Sequence, residues 1–182
     1  MSINNNVLKE NIEKIFVETG SYLGTTIQTA LNFGASKVYS IELSKKYYNI
    51  CNKKFKNNNK VELYLGDSSV RLKDVLEKID EKCTFWLDGH WSKSDTALGD
   101  KPCPLIEELN IIKNHHIKNH IIMVDDMRQW RDNQWPYNEL KNIEPVKESE
   151  IVKLIKEINP NYEITYHQGH KPNDILVAKI KK

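Results

Sequence analysis

Residues 14–26, KIFVETGSYLGTT, decide the fold of this chain. A short apolar run, IFV, leads into Glu18. Gly20 and Gly24 then stand four residues apart, and apolar residues recur at helical spacing from 27 to 33. This order predicts a buried strand, a tight turn and the start of a helix.

The glycines and the threonines after them favour a nucleotide-like ligand at this turn. Glycine lets the backbone turn sharply and lets a ligand approach without a Cβ in the way. Thr25 or Thr26 would cap the helix, whose N-terminal amides form an electropositive socket. The spacing is neither the GxGxxG of dinucleotide-binding folds nor the GxxxxGK[ST] of phosphate loops. The rest of the chain must therefore identify the ligand.

Beyond this stretch the chain alternates between apolar strand segments and helical segments. Such alternation predicts a parallel, doubly wound sheet, and the last two strands alternate as an antiparallel hairpin around a turn at 169–173. The expected architecture is α/β, a single domain over residues 1–182 with a mostly parallel seven-stranded sheet of Rossmann-like type. The strands expected after the first are 37–43, 61–65, 83–88, 120–124, 162–167 and 175–180.

Acidic residues stand at the ends of the second and third strands. Glu42 lies about twenty residues after the glycine turn, where an acidic residue takes the ribose hydroxyls in nucleotide-binding folds. Asp67 ends the third strand and Ser68 follows it. Two interpretations of Asp67 stay open, because it can cap the next helix or reach a bound base.

Three aspartates follow the fourth and fifth strands, Asp88 and the pair Asp125 and Asp126. Carboxylates that converge repel one another unless a cation neutralises them, and oxygen ligands favour Mg²⁺ or another hard divalent ion. His90 has the chemistry of a general base. Two alternatives stay open: the aspartate pair can cap the next segment, and His90 can be a structural histidine bonded to a backbone carbonyl.

Four short motifs together resemble one enzyme family. VETGSYLGTT, IEL, WLDGHW and VDDM occur in the same order and on the same elements as in the metal-dependent O-methyltransferases that use S-adenosylmethionine (SAM), both the catechol and the macrocin types. The resemblance runs from Ile15 to about Met127. The closing antiparallel hairpin is also similar to the sheet of class I SAM methyltransferases.

The resemblance implies a role for each matched residue. His90 would be the catalytic general base. Asp88, Asp125 and Asp126 would ligate Mg²⁺ or another divalent cation. The cofactor SAM would be bound by Glu18, Gly20, Tyr22, Gly24, Thr26, Glu42, Asp67 and Ser68, with Glu18, Gly20 and Tyr22 on its methionine part, Thr26 on its carboxylate, Glu42 on its ribose and Asp67 on its adenine.

Two departures from the catechol pattern change the expected chemistry. Ser92 stands where those enzymes have a lysine directly after the His-Trp pair, with Lys93 one position later, and Gly89 separates Asp88 from His90. A lysine base is thus disfavoured, and a histidine base, as in the macrocin-type sugar enzymes, is the better assignment.

Residues 127–142, MRQWRDNQWPYNELKN, are polar and aromatic and show no clean period. We expect a lid or substrate loop there. Trp91, Trp130 and Trp135 would stack on a sugar face or an aromatic ring, or else pack under the loop. The resembled enzymes have an additional N-terminal segment. The function of that segment would be performed here by the lid or by a partner subunit in a homodimer, or it would not be performed.

Composition narrows the partners and the compartment. The chain has 182 residues and a net charge of +2, which does not predict a nucleic-acid surface. It has no signal core and no run of eighteen apolar residues, and its three cysteines lack metal-type spacing. We therefore expect a cytoplasmic protein with no nucleic-acid and no membrane partner. We expect His115, His116 and His120 to be solvated or to face a helix dipole.

The expected function is SAM-dependent, metal-assisted methyl transfer to a hydroxyl of a vicinal diol, a sugar or glycan in preference to a catechol. Two alternatives remain. One is a metal-independent small-molecule methyltransferase with His90 as the base. The other is a nucleotide-binding oxidoreductase or a binding module without catalysis.

Overall fold

A computed structural model describes residues 4–92, 97–131, 137, 140 and 143–181. Its centre is a seven-stranded sheet in the order β3-β2-β1-β4-β5-β7-β6. The first five strands are parallel, and β7 runs antiparallel to both β5 and β6. The strands are β1 (Ile15–Thr19), β2 (Lys37–Glu42), β3 (Val61–Leu65), β4 (Cys83–Leu87), β5 (Ile121–Val124), β6 (Glu163–His167) and β7 (Ile175–Lys179). The predicted fold class is confirmed.

Helices cover both faces of the sheet. They are α1 (Asn5–Asn11), α2 (Thr25–Asn32), α3 (Lys45–Phe55), α4 (Ser68–Leu76), α5 (Leu105–Asn114) and α6 (Glu148–Ile158). Successive strand residues point to opposite faces. Val17 and Ile41 pack with α4, α5 and α6, whereas Phe16 and Val38 pack with α1, α2 and α3. Within the described ranges, every helix is too short or too polar to span a bilayer.

The point where the strand order reverses lies between β1 and β4. These strands are neighbours, with Thr19 paired to Leu87, yet β2 and β3 extend to one side and β5 to the other. The loops that leave β1 and β4 therefore diverge at their carboxyl ends. That crevice is where open α/β sheets bind ligands.

The cap of α2 differs from the expectation. The N-cap is Gly24, with φ +67° and no side-chain capping bond, so neither Thr25 nor Thr26 caps the helix. A left-handed glycine already sets the helix start. Thr26 lies instead near Glu18, where its hydroxyl acts to lower the pKa of that carboxyl.

For the part of 127–142 that the structure describes, the prediction of a lid is wrong. Met127, Trp130 and Tyr137 are buried in the core, and a 3₁₀ turn at Met127–Gln129 follows β5 directly. Burial of three large side chains outweighs the local polar pattern. Residues 132–136, 138–139 and 141–142, with Trp135, lie outside the described residues.

The histidines at the amino end of the sheet also differ from the expectation. His115 and His120 are buried, and only His116 is exposed. The Cys83 amide donates to His120 Nδ1 (3.1 Å), His120 Nε2 lies 2.9 Å from His115 Nδ1, and His115 Nε2 lies 3.0 Å from the Ile79 carbonyl. Because an amide only donates and a carbonyl only accepts, this series of hydrogen bonds fixes one neutral tautomer for His115 and one for His120.

Candidate active site

A cleft of about 340 Å³ opens at the carboxyl ends of β1, β2, β3, β4 and β5. Its volume is typical of small-molecule pockets, roughly 300–1,000 Å³. Nine of the residues singled out from the sequence line it: Gly20, Tyr22, Glu42, Asp67, Ser68, Asp88, His90, Asp125 and Asp126. The remaining three of the twelve predicted site residues, Glu18, Gly24 and Thr26, do not line it.

The two glycines of the first loop serve different contacts. Gly20 has φ +85°, and a Cβ there would lie 2.5 Å from the Asp88 carbonyl oxygen. The loops after β1 and β4 can therefore touch only if residue 20 is glycine. Gly24 instead faces α3, where a Cβ would lie 2.6 Å from Phe55 Cε2. Its contact is with the protein core and not with the cleft.

Glu42 anchors the first loop from the end of β2. Its Oε2 accepts the Tyr22 amide (2.8 Å) and its Oε1 accepts the Ser44 amide (2.7 Å). Burial raises the pKa of Glu42 although these backbone bonds oppose the shift. Tyr22 itself is held at φ +46°, and its ring packs 4.5 Å from that of Tyr47 at the mouth of the cleft.

Glu18 is a buried carboxyl with one oxygen unused. It is 1% exposed. Its Oε2 accepts the Ser40 hydroxyl at 2.7 Å, and Oε1 has no hydrogen-bond partner among the described residues. Burial raises the pKa of Glu18 to about 8. A buried polar atom without a partner is rare in proteins and is consistent with a missing ligand.

Asp67 does cap α4, as one of its two interpretations held. Its Oδ1 accepts the amide (2.9 Å) and the hydroxyl (2.7 Å) of Ser69. Its Oδ2 lies beside Gly99, since a Cβ on Gly99 would lie 2.6 Å away. Asp67 and Gly99 both line the cleft. Capping therefore uses one oxygen and leaves the other directed at the segment that borders the cleft.

Glu108 was missed by the sequence reasoning. It is 1% exposed on α5, lies near the hydroxyls of Ser68 and Thr19, which act to lower its pKa, and has no hydrogen-bond partner at Oε1 among the described residues. Burial raises its pKa to about 7. Thr19 Oγ1 in turn accepts the Asp88 amide at 3.2 Å. The one sequence signal was a second glutamate, after Glu107, in the first turn of α5, where solvated acids are common.

Asp88 and Asp125 are two cleft-lining carboxyls with raised pKa values. Burial and then the charge of Asp125 raise the pKa of Asp88 well above its ordinary value. Burial and then the charge of Asp126 raise the pKa of Asp125 to about 6. Both carboxyls line the cleft, so a positively charged ligand between them would favour their ionised forms.

Asp126 has a different environment. Burial acts to raise its pKa, but the bond to His90 and the Arg128 guanidinium outweigh burial and lower it to about 2. Its Oδ1 accepts Arg128 Nη1, and its Oδ2 accepts Gln129 Nε2 at 2.6 Å. His90 Nε2 lies 3.0 Å from the same Oδ2. Both oxygens of Asp126 are thus engaged by the protein itself.

His90 is held between two aspartates. Gln129 Nε2 lies 2.9 Å from His90 Nε2, but it donates to Asp126 Oδ2 at the shorter distance of 2.6 Å. Because ionised Asp126 can only accept, we assign the proton to His90 Nε2. His90 Nδ1 then has a free lone pair, and it faces Asp88 Oδ1 at 3.5 Å. The ring packs edge-on against Trp130 at 5.5 Å. His90 thus has a fixed tautomer with its basic nitrogen on the Asp88 side.

The predicted three-aspartate metal site is not preformed. Among the described residues, no group of three or more His, Cys, Asp or Glu side chains could hold a metal ion. Asp126 is not available as a third ligand, because its oxygens bond Arg128, Gln129 and His90. Asp88 and Asp125 remain as two cleft-lining carboxyls with raised pKa values.

The aromatic residues divide between wall and core. Trp91 lines the cleft and stacks on Tyr137 at 5.7 Å between ring centroids. Trp130 is 1% exposed and its indole N–H donates to the Asp125 carbonyl at 3.4 Å, so its packing interpretation holds. Lys93 and Trp135 lie outside the described residues.

Comparison with known proteins identifies the fold of this chain but shows no closer relationship. No family model matches the chain, and no curated protein matches it. A protein described as a candidate rRNA methylase from Clostridium thermocellum superposes with a TM-score of 0.63 at 13% identity, over 96% of this chain and 94% of that one. This chain therefore has the Rossmann-like fold of that protein.

Two further structures were solved with SAM or with its demethylated form, S-adenosylhomocysteine (SAH). The O-methyltransferase from Bacillus cereus in complex with SAH has a TM-score of 0.63 at 13% identity, over 97% of this chain and 78% of that one. The O-methyltransferase TomG from Streptomyces achromogenes, in complex with SAM, has a TM-score of 0.59 at 12% identity, over 98% and 78%. At such identities the likeness concerns the fold alone.

Proposed function

We propose that this chain is a SAM-dependent O-methyltransferase that methylates one hydroxyl of a vicinal diol, on a sugar or glycan. The observation that carries the proposal is His90, held in one tautomer by Asp126, in a cleft that also contains the Gly20 loop. The fold is that of solved proteins whose descriptions name SAM or S-adenosylhomocysteine (SAH).

The side of the cleft formed after β1, β2 and β3 would bind SAM. Its carboxylates match the polar groups of that ligand: Glu42 for the ribose hydroxyls, Asp67 for the adenine amine and Glu18 for the ammonium of the methionine part. The unpartnered Oε1 of Glu18 supports this assignment, because a buried carboxylate is stable only when it is paired.

The side formed after β4 and β5 would bind the acceptor and remove its proton. The acceptor oxygen forms a bond to the methyl carbon as the carbon–sulfur bond breaks, which leaves SAH, and the hydroxyl proton passes to His90 Nδ1. The charge that then develops on His90 is stabilised by ionised Asp126, 3.0 Å from Nε2. Gln129 steadies that carboxylate.

Asp88 and Asp125 fit a divalent cation. Two carboxylates with further oxygens from water and substrate are a usual Mg²⁺ ligand set. Burial raises the pKa of both carboxyls, and the charge of a neighbouring aspartate adds to it, Asp125 for Asp88 and Asp126 for Asp125. When bound, Mg²⁺ would acidify a diol and fix its orientation. Asp126, the third aspartate of the sequence prediction, would hold His90 instead. Trp91 would stack on a sugar face.

Methyl transfer from radiolabelled SAM to a panel of sugars and catechols tests the proposal. We expect transfer to a sugar diol, a loss of about 100-fold or more in Asp125→Asn, and no loss in the surface control Asp74→Asn. Full activity in EDTA would rule out a role for the metal and would favour the metal-independent alternative. The engagement of both Asp126 oxygens by the protein also fits that alternative. NADH binding without SAH binding would refute methyl transfer.

A further inference from the structure

The turn before β7 reaches the catalytic segment from the far end of the chain. Asp174, in that turn, is 0% exposed. Its Oδ1 accepts the Arg128 amide at 3.0 Å, its Oδ2 accepts Arg128 Nη1, and its backbone carbonyl accepts the Met127 amide at 2.9 Å. One buried residue therefore fixes both the backbone and the side chain of the segment after β5.

Arg128 carries this contact to the site. The same guanidinium nitrogen that meets Asp174 also donates to Asp126 Oδ1. Asp126 is held at φ +56°, a conformation that non-glycine residues rarely adopt and that persists only where neighbours enforce it. Its other oxygen meets His90 and Gln129. A continuous chain of contacts thus runs from Asp174 through Arg128 and Asp126 to His90.

We propose that Asp174 and Arg128 are positioning residues for His90, acting through Asp126. The inference rests on the proposed function, in which His90 removes the acceptor proton. Neither residue lines the cleft, so neither would touch the donor or the acceptor. Their role is to hold the Asp126 carboxylate where it accepts the hydrogen bond from His90 Nε2–H, so that Nδ1 stays the basic nitrogen.

The geometry of Arg128 suits this task better than a lysine would. One guanidinium nitrogen, Nη1, contacts both carboxylates, and the rigid plane of the group fixes the directions of its N–H bonds, whereas an ammonium is a point charge on a flexible stem. Without Arg128, Asp126 and Asp174 would be two buried carboxylates with no shared cation. The Asp126 side chain would then lose the contact that fixes its rotation.

Four variants test the proposal: Asp174→Asn, Arg128→Gln, Arg128→Lys and, as the matched control, Arg131→Gln. Arg131 lies three residues from Arg128 and contacts the same turn through the Asn173 carbonyl, but it does not reach Asp126. We expect kcat to fall about 30-fold in Asp174→Asn and Arg128→Gln, and less in Arg128→Lys. The Kd for SAH, and kcat in Arg131→Gln, should stay within about twofold.

The tautomer of His90 gives a readout that does not need an active enzyme. Nitrogen-15 NMR of the histidine rings should show His90 as the Nε2–H form in the wild type and in Arg131→Gln, and as a mixture in Asp174→Asn and Arg128→Gln. If the wild type transfers no methyl group, the proposed function fails while this test still stands. An unchanged tautomer, an unchanged kcat, or a parallel loss of SAH affinity would each overturn the positioning role.

Discussion

The two ends of the sheet both bury ionisable groups, but they satisfy them differently. At the amino end, Cys83, His120, His115 and Ile79 form a hydrogen-bonded chain in which each ring nitrogen has a partner. At the carboxyl end, Glu18 and Glu108 each leave a buried oxygen without one. Both sets of groups have shifted pKa values, mainly through burial.

The difference separates a structural role from a functional one. A perturbed pKa by itself marks either kind of site. A closed network needs nothing further and should contribute to stability. An open network beside a cleft is completed only by a ligand. Changes to the histidine network at the amino end should therefore alter stability and spare binding, whereas changes to the unpartnered carboxyls at the carboxyl end should mainly alter binding.

The largest effect is expected at His90. His90→Ala should lower kcat by about 1,000-fold, because no base then takes the proton from the substrate hydroxyl. The Kd for SAH should stay within about threefold. Steady-state kinetics with labelled SAM and calorimetric titration check the two parts. His170→Ala, at an exposed histidine, should change neither. A His90→Ala enzyme with near wild-type kcat would show that another group takes the proton.

The amino end should respond to acid. Burial, then the neighbouring His115, lowers the pKa of His120 to about 3, below the ordinary 6.5 of the unfolded chain. Between these values the unfolded state binds more protons at this site, so the contribution of His120 to the free energy of unfolding falls as pH falls, by roughly 3 kcal/mol from pH 6.5 to 4. The buried carboxyls with raised pKa values act in the opposite direction, so this contribution is read as the difference between the wild type and His120→Phe. Urea unfolding at several pH values measures it.

His120→Phe, which keeps the edge-to-face contact with Phe85, should remove most of this pH dependence. His116→Ala, at the exposed neighbour, should leave it in place. A slope equally steep in His120→Phe would assign the acid sensitivity to other groups. SAH affinity at pH 7.5 should be the same in all three proteins, since the network lies at the opposite end of the sheet.

Glu18 should link binding to pH in the other direction. With its pKa raised to about 8 by burial, Glu18 is protonated in the free protein at pH 6.5, and a cationic ligand group favours its ionised form. Affinity for SAH should then rise between pH 6 and 8, with release of a proton. Calorimetry in buffers of different ionisation enthalpy measures that proton.

Glu18→Gln should weaken SAH binding about 20-fold at pH 8 and abolish the proton release. Glu62→Gln is the control, because Glu62 pairs with Lys37 and Lys78 on the surface and should leave both unchanged. Proton release that persists in Glu18→Gln would transfer the linkage to another carboxyl.

The smallest effect compares two glycines, one at each end. Gly20→Ala places a Cβ 2.5 Å from the Asp88 carbonyl, whereas Gly34→Ala meets nothing within 4 Å, and both glycines have positive φ. Gly34→Ala should cost about 1 kcal/mol of unfolding free energy from backbone strain alone. Gly20→Ala should cost at least about 1 kcal/mol more and should also weaken SAH binding. Equal costs would show that the Gly20 loop can move away from β4.

The sequence predicted the features that depend on local signals. Apolar runs located the strands to within about two residues, and the carboxyl ends of parallel strands brought Glu42, Asp67, Asp88 and Asp125 to one cleft. Such statements need only the period of a strand and the topology of a doubly wound sheet.

The rest depended on contacts between distant residues. From its position after β5, Asp126 was predicted to be a metal ligand, but Arg128 and Gln129 engage both of its oxygens. Arg128 itself is held by Asp174, 46 residues away. Met127 and Trp130 lie in a polar stretch, yet they pack in the core. No local pattern reports such pairings, because they arise only when the chain has folded.

Calorimetric titration of the purified chain with SAH and, separately, with NADH tests the central claim most directly. We expect SAH to bind with one-to-one stoichiometry, Glu18→Gln and Glu42→Ala to weaken this binding, and NADH to give no heat of binding. Binding of NADH with no binding of SAH would contradict it, because the carboxylates of the cleft would then serve a different ligand.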